Sequence, residues 1–443
     1  MKGKWKKSLF VLSLAFVFIL AACGGNSESE TSDDSNESGS DSGKKTIEFM
    51  HLWPEGSSKQ HHEIVNNIIK EFEEENPDVK VEVEILGNEQ YKEKLKVLST
   101  SNELPDVGMA WPAGFLEPYV SGNMFASLDD VLEGPLKDKF VAGTAEAYQI
   151  DGTTYSLPLE LNITPIYYNK RIFDENGVEV PKTYEELKAA IQTLADNGVT
   201  PVALGNKDRW TGSMWYMYLA DRIGGPEVLN NAINRTGSFE DPALIQAAEE
   251  IQELVDMNTF INGFNGLGND EAKGYFINEQ AAMYLMATWD LPEWTTNEDN
   301  PKEFRDSVEY MKFPTVEGGK GDINSFVGGP GVGLFVAENS DVKEEAKDFV
   351  AFFVEKWGGE KSVTDAGVIP ATKVNTEGME LPQMYIDILN DLNEASNLTL
   401  YADVQMSPSV AEVHLDMIQA LFGKAVTPEE FAKEQEDALA AEE

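Results

Sequence analysis

Apolar side chains between residues 46 and 111 follow strand-like and helix-like patterns in turn. Residues 79–85 alternate strictly between apolar and polar side chains, which predicts a strand with one buried face. Before them, apolar residues recur at helical spacing over 64–72, and Asn76-Pro77 ends that helix. Because strands and helices alternate, we expect a mostly parallel sheet with helices on both faces. The same patterns predict strands at 46–51 and 106–111 and a helix at 89–101.

Helix-start signals mark the later part of the chain. Thr183 and Thr427 each stand three residues before a glutamate, which is the spacing of a capping box. Asp241 is followed by Pro242, a pair typical of an N-cap and a first helical turn. Helices that alternate with strands to the end of the chain predict an α/β protein. Apolar patterns predict helices at 243–255 and 342–354 and strands at 201–204, 281–286 and 331–336.

The beginning of the chain has the layout of an export signal. Four lysines precede a short apolar run, and Leu20-Ala21-Ala22 leads into Cys23, the only cysteine of the chain. The apolar run is shorter than the roughly 20 residues that span a bilayer, which argues against the alternative of a signal-anchor helix. Leu-Ala-Ala-Cys also resembles the lipobox of bacterial lipoproteins, in which the signal is removed and the cysteine carries lipid. We therefore predict a signal peptide at 1–22 and lipidation of Cys23.

Residues 23–44 are predicted to form a disordered tether. They are almost entirely small, polar or acidic, and such a segment cannot bury enough apolar surface to offset the entropy of ordering it. No later stretch approaches the length of a membrane-spanning apolar run. We therefore expect everything after Cys23 to form a soluble body that is tethered to a membrane surface.

Composition excludes several classes of function. The formal net charge is −44, and such a field repels the phosphate backbone of nucleic acids. A single cysteine excludes disulfides within the chain, zinc–thiolate sites and, once it carries lipid, cysteine catalysis. The sequence contains neither the phosphate loop of ATP-binding proteins nor the Gly-x-Ser-x-Gly elbow of serine hydrolases. The glycine-rich run at 328–333 lacks dinucleotide-binding spacing and predicts a tight turn or a close backbone approach.

The four histidines give little support for a metal site. His61, His62 and Glu63 begin like a zinc-protease motif, but position 66 is asparagine. The second histidine that the motif requires one helical turn away is therefore missing. We interpret His61 and His62 as exposed residues at a helix start, and we expect no metal ion or other cofactor.

Tryptophans follow three of the predicted strands. Trp53 comes after the first strand, Trp111 closes the third, and Trp289 with Asp290 follows the strand at 281–286. Ligands of α/β proteins bind beyond the carboxyl ends of strands. A flat apolar ring beside a carboxylate suits a sugar, whose C–H face packs on the ring while its hydroxyls are hydrogen-bonded. Three further tryptophans lack this placement, and we expect them to pack in the core: Trp215, Trp294 and Trp357.

Several segments follow one another in a recognisable order. They are Phe72-Glu73-Glu74-Glu75-Asn76-Pro77, Leu104-Pro105-Asp106-Val107-Gly108, Tyr155-Ser156-Leu157-Pro158, Tyr167-Tyr168-Asn169-Lys170 and Phe276-Ile277-Asn278-Glu279-Gln280-Ala281-Ala282-Met283. Each is moderately specific alone. Together they resemble the extracellular solute-binding proteins of ABC importers, in the carbohydrate-binding group related to maltose-binding protein. The resemblance covers nearly everything after the tether.

The resemblance implies a periplasmic-binding-protein-like class II fold, in which two α/β lobes close around a ligand in a hinged cleft. Lobe 1 is expected to comprise residues 45–158 and 326–370. Lobe 2 is expected to comprise residues 159–325 and 371–443. The chain would cross between the lobes first at 156–163.

Cleft residues of the family carry over to matching positions of this sequence. The resemblance implies tryptophans stacked on sugar rings, carboxylates and an amide that bind hydroxyls, and backbone contacts from a glycine near the hinge. The loop around Glu55 lacks the charged pair of maltose-binding protein, which argues against maltose, and Glu279-Gln280 replaces the Gly-Lys that relatives often carry. The implied ligand-binding residues are Trp53, Glu55, Trp111, Glu160, Asn162, Asp208, Trp210, Trp289, Asp290 and Gly329.

The resemblance also implies a function. The protein would be a lipid-anchored receptor that captures a sugar, in particular an oligosaccharide, and passes it to the permease subunits and ATPase of an importer. It would be a monomer without catalytic activity on the outer face of a cell membrane, which favours a Gram-positive surface. Its middle region is most similar to raffinose, xylo-oligosaccharide and amino-sugar binders.

Two other classes of function stay open. Another small solute, such as a polyamine or a peptide, could occupy the same cleft, and a polyamine would require carboxylates around the aromatic side chains. A metal ion would need more histidines than the chain has. A surface glycoside hydrolase would need two cleft carboxyl groups at the separation of a retaining or inverting enzyme, which a sequence does not give.

Overall fold

The computed structural model describes residues 43–442. The predicted signal peptide, Cys23 and the predicted tether up to residue 42 lie outside the described residues. Within 43–442, no helix is both long and apolar enough to cross a membrane. The strands are β1 (Lys45–His51), β2 (Val79–Ile85), β3 (Val107–Ala110), β4 (Gln149–Ile150), β5 (Thr153–Thr154), β6 (Leu157–Pro158), β7 (Leu161–Ile163), β8 (Ile166–Asn169), β9 (Val202–Ala203), β10 (Met283–Leu285), β11 (Val308–Met311), β12 (Ser325–Pro330), β13 (Gly333–Val336) and β14 (Asn397–Thr399). The α-helices are α1 (Lys59–Glu75), α2 (Asn88–Ser101), α3 (Glu117–Ser121), α4 (Asp129–Glu133), α5 (Lys170–Glu175), α6 (Tyr184–Asp196), α7 (Trp210–Gly224), α8 (Glu227–Ile233), α9 (Pro242–Asp256), α10 (Asn269–Ile277), α11 (Leu291–Thr295), α12 (Lys302–Arg305), α13 (Lys343–Trp357), α14 (Glu360–Thr364), α15 (Gln383–Asn393), α16 (Ala402–Gln405), α17 (Pro408–Phe422) and α18 (Pro428–Ala440).

Most of the predicted elements are confirmed. The strictly alternating segment is β2, and the helical pattern before it is α1, which ends at Asn76 as predicted. Thr183 and Thr427 start the predicted capping boxes of α6 and α18, and the Asp241 side chain caps α9. The strand predicted at 281–286 is shorter and spans only β10.

The first sheet has the strand order β2-β1-β3-β13-β6. Strand β1 pairs in parallel with β2 and β3, as the alternation of strands and helices predicts. Strand β13 comes from late in the chain and pairs antiparallel with β3 and β6. Helices α1 and α13 cover this sheet, and their apolar stripes bury Ile64, Phe72, Phe349 and Phe353 in the first hydrophobic core. Trp357 lies in this core, as predicted.

The second sheet has the order β11-β8-β10-β9. The expectation of a mostly parallel sheet is wrong here, because β10 and β11 both pair antiparallel with β8 and only β9 and β10 run in parallel. Helices α7, α9, α17 and α18 surround a second hydrophobic core. Trp215 and Trp294 are buried in it, as predicted.

The described backbone passes between the two cores at three places, and the first of these segments pairs with the other two. The N–H of Leu159 donates to the carbonyl of Val332, and the carbonyl of Leu159 accepts from the N–H of Ala371, both at 2.9 Å. Leu159 and Val332 belong to the first core, whereas Ile163 and Val327, a few residues along the same two segments, belong to the second. Strands β7 and β12, which belong to two of these segments, form a small sheet with β14.

His51, at the end of β1, is fully buried beside the first core. Its Nδ1 accepts a hydrogen bond from the backbone N–H of Trp53 at 3.2 Å, and among the described residues its Nε2 has no hydrogen-bond partner. Burial, with a smaller contribution from His62, lowers the pKa of His51 to about 3. His51 therefore stays neutral in the folded protein at mildly acid pH, whereas it titrates near 6.5 in the unfolded chain.

This difference predicts a pH dependence of stability. As the pH falls from 7 to 5, the unfolded chain gains a proton at residue 51 that the folded protein does not bind, so the free energy of unfolding should fall by about 2 kcal/mol from this residue alone. The variant H51Q keeps an acceptor for the N–H of Trp53 but does not titrate. Chemical denaturation of both proteins at several pH values measures the difference, and parallel stability curves would contradict the assignment.

Candidate functional site

A cavity between the two cores gathers most of the residues predicted to bind ligand. It holds about 1040 Å³ of empty space, including its opening to solvent. Residues from both cores form its walls. The predicted residues that line it are Trp53, Trp111, Glu160, Trp210, Trp289 and Asp290.

Strand ends place the aromatic side chains of this cavity. Trp53 follows β1 and Trp111 follows β3, and because these strands are parallel neighbours, both residues leave the same edge of the first sheet. Trp289 lies in a short 3₁₀ turn after β10, and Trp210 begins α7. Tyr401, which was not predicted, follows β14 and also lines the cavity.

The tryptophans differ in how much ring surface they offer. Trp53 is only 5% exposed because it stacks on Trp357, with ring centroids 4.7 Å apart and planes 10° apart. Trp111, Trp210 and Trp289 are half-buried. Trp210 meets Trp289 edge to face at 5.9 Å and 70°. The three half-buried rings keep apolar surface open to the cavity, whereas Trp53 supports the wall from within the first core.

Glu160 and His61 form a buried pair in the cavity wall. His61 Nε2 lies 3.0 Å from Glu160 Oε1, and both side chains are almost completely buried. Asn162 Nδ2 donates to Glu160 Oε2 at 3.4 Å. A buried carboxylate needs such partners because it has lost its hydration. The pair therefore fixes a carboxylate at the place where the chain first passes between the cores.

The expectation that His61 is exposed is wrong, since it is only 4% exposed. It stands three and four residues before Ile64 and Val65, so the helical period places it on the buried face of α1. His62 is half-buried rather than exposed, and its Nδ1 lies 3.2 Å from the carbonyl oxygen of Trp53.

Asp290 is held by a buried lysine. Lys273 Nζ donates to Asp290 Oδ1 at 3.1 Å and to the backbone carbonyl of Ser57 at 3.2 Å, and the Tyr284 hydroxyl donates to Asp290 Oδ2 at 3.1 Å. Burial raises the pKa of Asp290, and the Lys273 ammonium opposes part of that rise. Burial alone would lower the pKa of Lys273, but neighbouring carboxylates, led by Asp290, hold it above its ordinary value.

Lys92 faces a second group of acidic side chains. Its Nζ lies 3.8 Å from Asp403 Oδ2 and 4.9 Å from the centre of the Trp111 ring. Glu89, three residues before Lys92 on α2, accepts a hydrogen bond from Trp210 Nε1 at 3.2 Å. Burial raises the pKa of Glu89, and the Lys92 ammonium opposes this rise.

Two predicted residues lie behind the cavity wall instead of lining it. Asn162 is buried next to Glu160, and its Oδ1 accepts a hydrogen bond from the Thr288 hydroxyl at 2.9 Å. Asp208 Oδ2 accepts a hydrogen bond from the N–H of Asn269 at 2.7 Å, and Asn269 itself lines the cavity. Both residues are hydrogen-bonded to the wall, since Asn162 donates to Glu160 and Asp208 accepts from Asn269.

Two other predicted residues lie away from this cavity. Glu55 is exposed to solvent. Gly329 lines a second cavity that includes Leu161 and Tyr385. Gly331, two residues later, lines the first cavity, where a Cβ atom would lie 2.7 Å from Asn162 Nδ2. The expectation of a close backbone approach in this glycine run is thus confirmed, but the residue in the cavity wall is Gly331.

Several polar residues of the cavity were not predicted, and only some leave a signal in the sequence. The helical period of α1 predicts that His61 is buried. Tyr401 follows a strand, as the tryptophans do, but the short strand β14 has no clear pattern in the sequence. Lys92, Lys273 and Asp403 lack such a signal because their partners are distant in sequence or lie on another element.

The geometry favours binding of a polar ring-shaped ligand. Half-buried aromatic rings offer flat apolar surface, and buried carboxylates beside them offer hydrogen-bond acceptors. Across residues 43–442, no cluster of three or more His, Cys, Asp or Glu side chains is placed to hold a metal ion.

Known proteins resemble this chain over most of its length. It is 27% identical over 361 residues to the multiple sugar-binding protein of Streptococcus mutans, which is 79% of each chain. A structure from work on xylan utilization by the thermophilic bacterium Caldanaerobius polysaccharolyticus is 32% identical, with a TM-score of 0.83 over 88% of this chain and 99% of that one. A chitin oligosaccharide binding protein shares the fold, with 23% identity and a TM-score of 0.82 over 90% and 98% of the two chains.

These likenesses confirm the predicted fold class, two α/β lobes of the periplasmic-binding-protein type. A sequence model of one family, the bacterial extracellular solute-binding proteins, matches residues 58–356. The match includes α1, the first two passages between the cores and most of the residues that line the cavity. The chain belongs to the bacterial extracellular solute-binding protein family.

Proposed function

We propose that this protein captures a sugar, in particular an oligosaccharide, and delivers it to the permease subunits and ATPase of an ABC importer. The observation that carries the proposal is one cavity in which half-buried tryptophan rings adjoin buried carboxylates held by neighbouring side chains. Relatives described as binding multiple sugars and chitin oligosaccharides, and a similar structure from work on xylan utilization, support a carbohydrate ligand.

The two kinds of side chain suit different parts of a sugar. The C–H face of a pyranose ring can pack on Trp111, Trp210 or Trp289, whose apolar surface is partly open. Hydroxyls can donate to Glu160 and Asp290, because a carboxylate accepts about four hydrogen bonds and these groups have few protein partners. Both carboxylates are already fixed, so binding costs little additional side-chain entropy.

We further propose that the two lobes close around the sugar and that the permease recognises the closed form. The lobes would comprise 45–158 with 326–370 and 159–325 with 371–443. Hydrogen bonding of the three connecting segments around Leu159 supports a hinge at this position. A ligand that contacts both lobes favours the closed form by its difference in affinity for the two states.

The proposed location is the outer face of a cell membrane, with lipid on Cys23 as the anchor. The Leu-Ala-Ala-Cys sequence and the polar segment after it support this proposal. A tether keeps a monomeric receptor beside its permease where no outer membrane confines it, which favours a Gram-positive host.

Two alternatives are weaker. A polyamine is favoured by the carboxylates around the aromatic rings, but Glu160 and Asp290 already face His61 and Lys273. A glycoside hydrolase needs a carboxylic acid and a second free carboxylate, whereas the buried carboxylates of this cavity are held by protein groups. We therefore propose a receptor without enzymatic activity.

Thermal unfolding with a panel of solutes tests the proposed ligand class. The panel contains raffinose, xylotetraose, chitotetraose, maltotetraose, spermidine and a tetrapeptide. At least one of the first three saccharides should stabilise the protein by about 2.7 kcal/mol at a hundredfold excess over its dissociation constant, because only the folded state binds it. Chromatography after long incubation should recover the saccharide uncleaved. A shift with spermidine or the peptide alone, or cleavage products, would contradict the proposal.

Two tryptophan variants test the assignment of roles. Trp289→Ala should weaken binding of the stabilising saccharide at least tenfold, about 1.4 kcal/mol, with little loss of stability, because its ring is half-buried at the cavity. Trp53→Ala should cost about 3–5 kcal/mol of stability, because it removes a ring stacked on Trp357. Calorimetric titration and denaturation measure both effects. Unchanged affinity in Trp289→Ala would remove Trp289 from the site.

A further inference from the structure

We propose that the cavity admits uncharged saccharides and rejects saccharides that carry a carboxylate, such as uronic acid derivatives. This inference rests on the proposed sugar-binding function and defines its substrate class more narrowly. It is drawn from the charges that line the cavity and from the partners that these charges already have.

Every basic side chain in the cavity wall of the described structure already faces a carboxylate. Lys273 Nζ lies 3.1 Å from Asp290 Oδ1, Lys92 Nζ lies 3.8 Å from Asp403 Oδ2, and His61 Nε2 lies 3.0 Å from Glu160 Oε1. Lys273 also donates to a backbone carbonyl, and Lys92 lies over the Trp111 ring. To gain a cation, a carboxylate on the ligand would have to displace the protein carboxylate beside Lys273 or the one beside Lys92.

Acidic side chains outnumber basic ones around the cavity. Two acids lie directly behind the wall, since Glu89 accepts a hydrogen bond from Trp210 and Asp208 accepts one from the backbone of Asn269. Burial raises the pKa of both Glu89 and Asp208, which indicates that this region already disfavours negative charge. The acidic residues of the wall itself are Glu160, Asp270, Asp290 and Asp403.

The residue types of the wall also favour uncharged saccharides. Arginine binds carboxylates best, through bidentate hydrogen bonds from its guanidinium group, and the described wall contains no arginine. Carboxylates of the protein accept hydrogen bonds and cannot donate them when ionised, so they match sugar hydroxyls and repel a ligand carboxylate. In the partly dehydrated cavity this repulsion is stronger than in water.

Matched saccharides test the inference with the whole protein. Xylotetraose, cellotetraose and raffinose are each compared with a derivative that carries one uronic acid carboxylate and with the methyl ester of that derivative. For each saccharide that binds, the carboxylate should raise the dissociation constant measured by calorimetry at least tenfold, and the ester, which has similar bulk but no charge, should recover most of the affinity.

The variant Asp403→Asn tests the source of the selectivity. It keeps the shape of the side chain and leaves Lys92 without its nearest carboxylate in the wall. The ratio of the dissociation constants for acidic and neutral saccharide should fall at least threefold. The control Asp306→Asn removes an acid from the exposed pair with Lys302, and it should leave the ratio unchanged.

The possible results separate this inference from the proposed function. Equal binding of acid and ester, tighter binding of the acid, or an unchanged ratio in Asp403→Asn would overturn the charge-based selectivity and leave the sugar-binding proposal intact. If none of the three neutral saccharides binds and the wider solute panel also gives no sugar, the proposed function is wrong and the inference falls with it.

Discussion

Burial of charged groups between two hydrophobic cores is the constraint on which the site depends. Glu160 and Asp290 lie where the cores meet, and a carboxylate left there without a partner would destabilise the fold by about 3–5 kcal/mol. His61 and Lys273 supply the partners. His61 belongs to α1, which packs in the first core, and Lys273 belongs to α10, which packs in the second through Phe276. Each partner of a buried carboxylate is therefore held by a helix that packs in one of the two cores.

Polar contacts also join the two cores around the cavity. Lys273 Nζ donates to the carbonyl of Ser57, and Lys59 Nζ lies 2.5 Å from Asp299 Oδ2. Contacts of this kind exchange with water at a small net cost. The buried apolar side chains, by contrast, form two separate clusters, and the half-buried Trp111 packs against both. This division of forces suits a cleft that opens and closes, as the family fold implies and as the proposed function requires.

The sequence predicts the helices and strands of this chain better than it predicts which distant residues contact one another. Strand β2, helix α1 and the capping boxes at Thr183 and Thr427 depend on residues within one or two turns, and all of them are confirmed. The position of Trp53, Trp111 and Trp289 after strands correctly predicts that all three line one cavity. It does not predict how far each side chain is buried, so it does not distinguish the stacked Trp53 from the half-buried rings.

Most of the wrong predictions concern residues whose contacts come from distant parts of the chain. The helical period places His61 on the buried face of α1, but its partner Glu160 lies on the distant segment where the chain first passes between the cores. The resemblance implies Gly329 as a cleft residue, whereas Gly331 lines the cavity, because the pairing of β7 with β12 decides which glycine faces it.

The proposed function requires that a sugar binds to the half-buried tryptophans and buried carboxylates of the cavity between the cores. A crystal structure of the protein with a bound saccharide would show whether the sugar lies there. A sugar ring should lie within about 4 Å of Trp289, with hydroxyls donating to Glu160 or Asp290. A saccharide bound in the second cavity beside Gly329, or one that touches neither the rings nor the carboxylates, would contradict it.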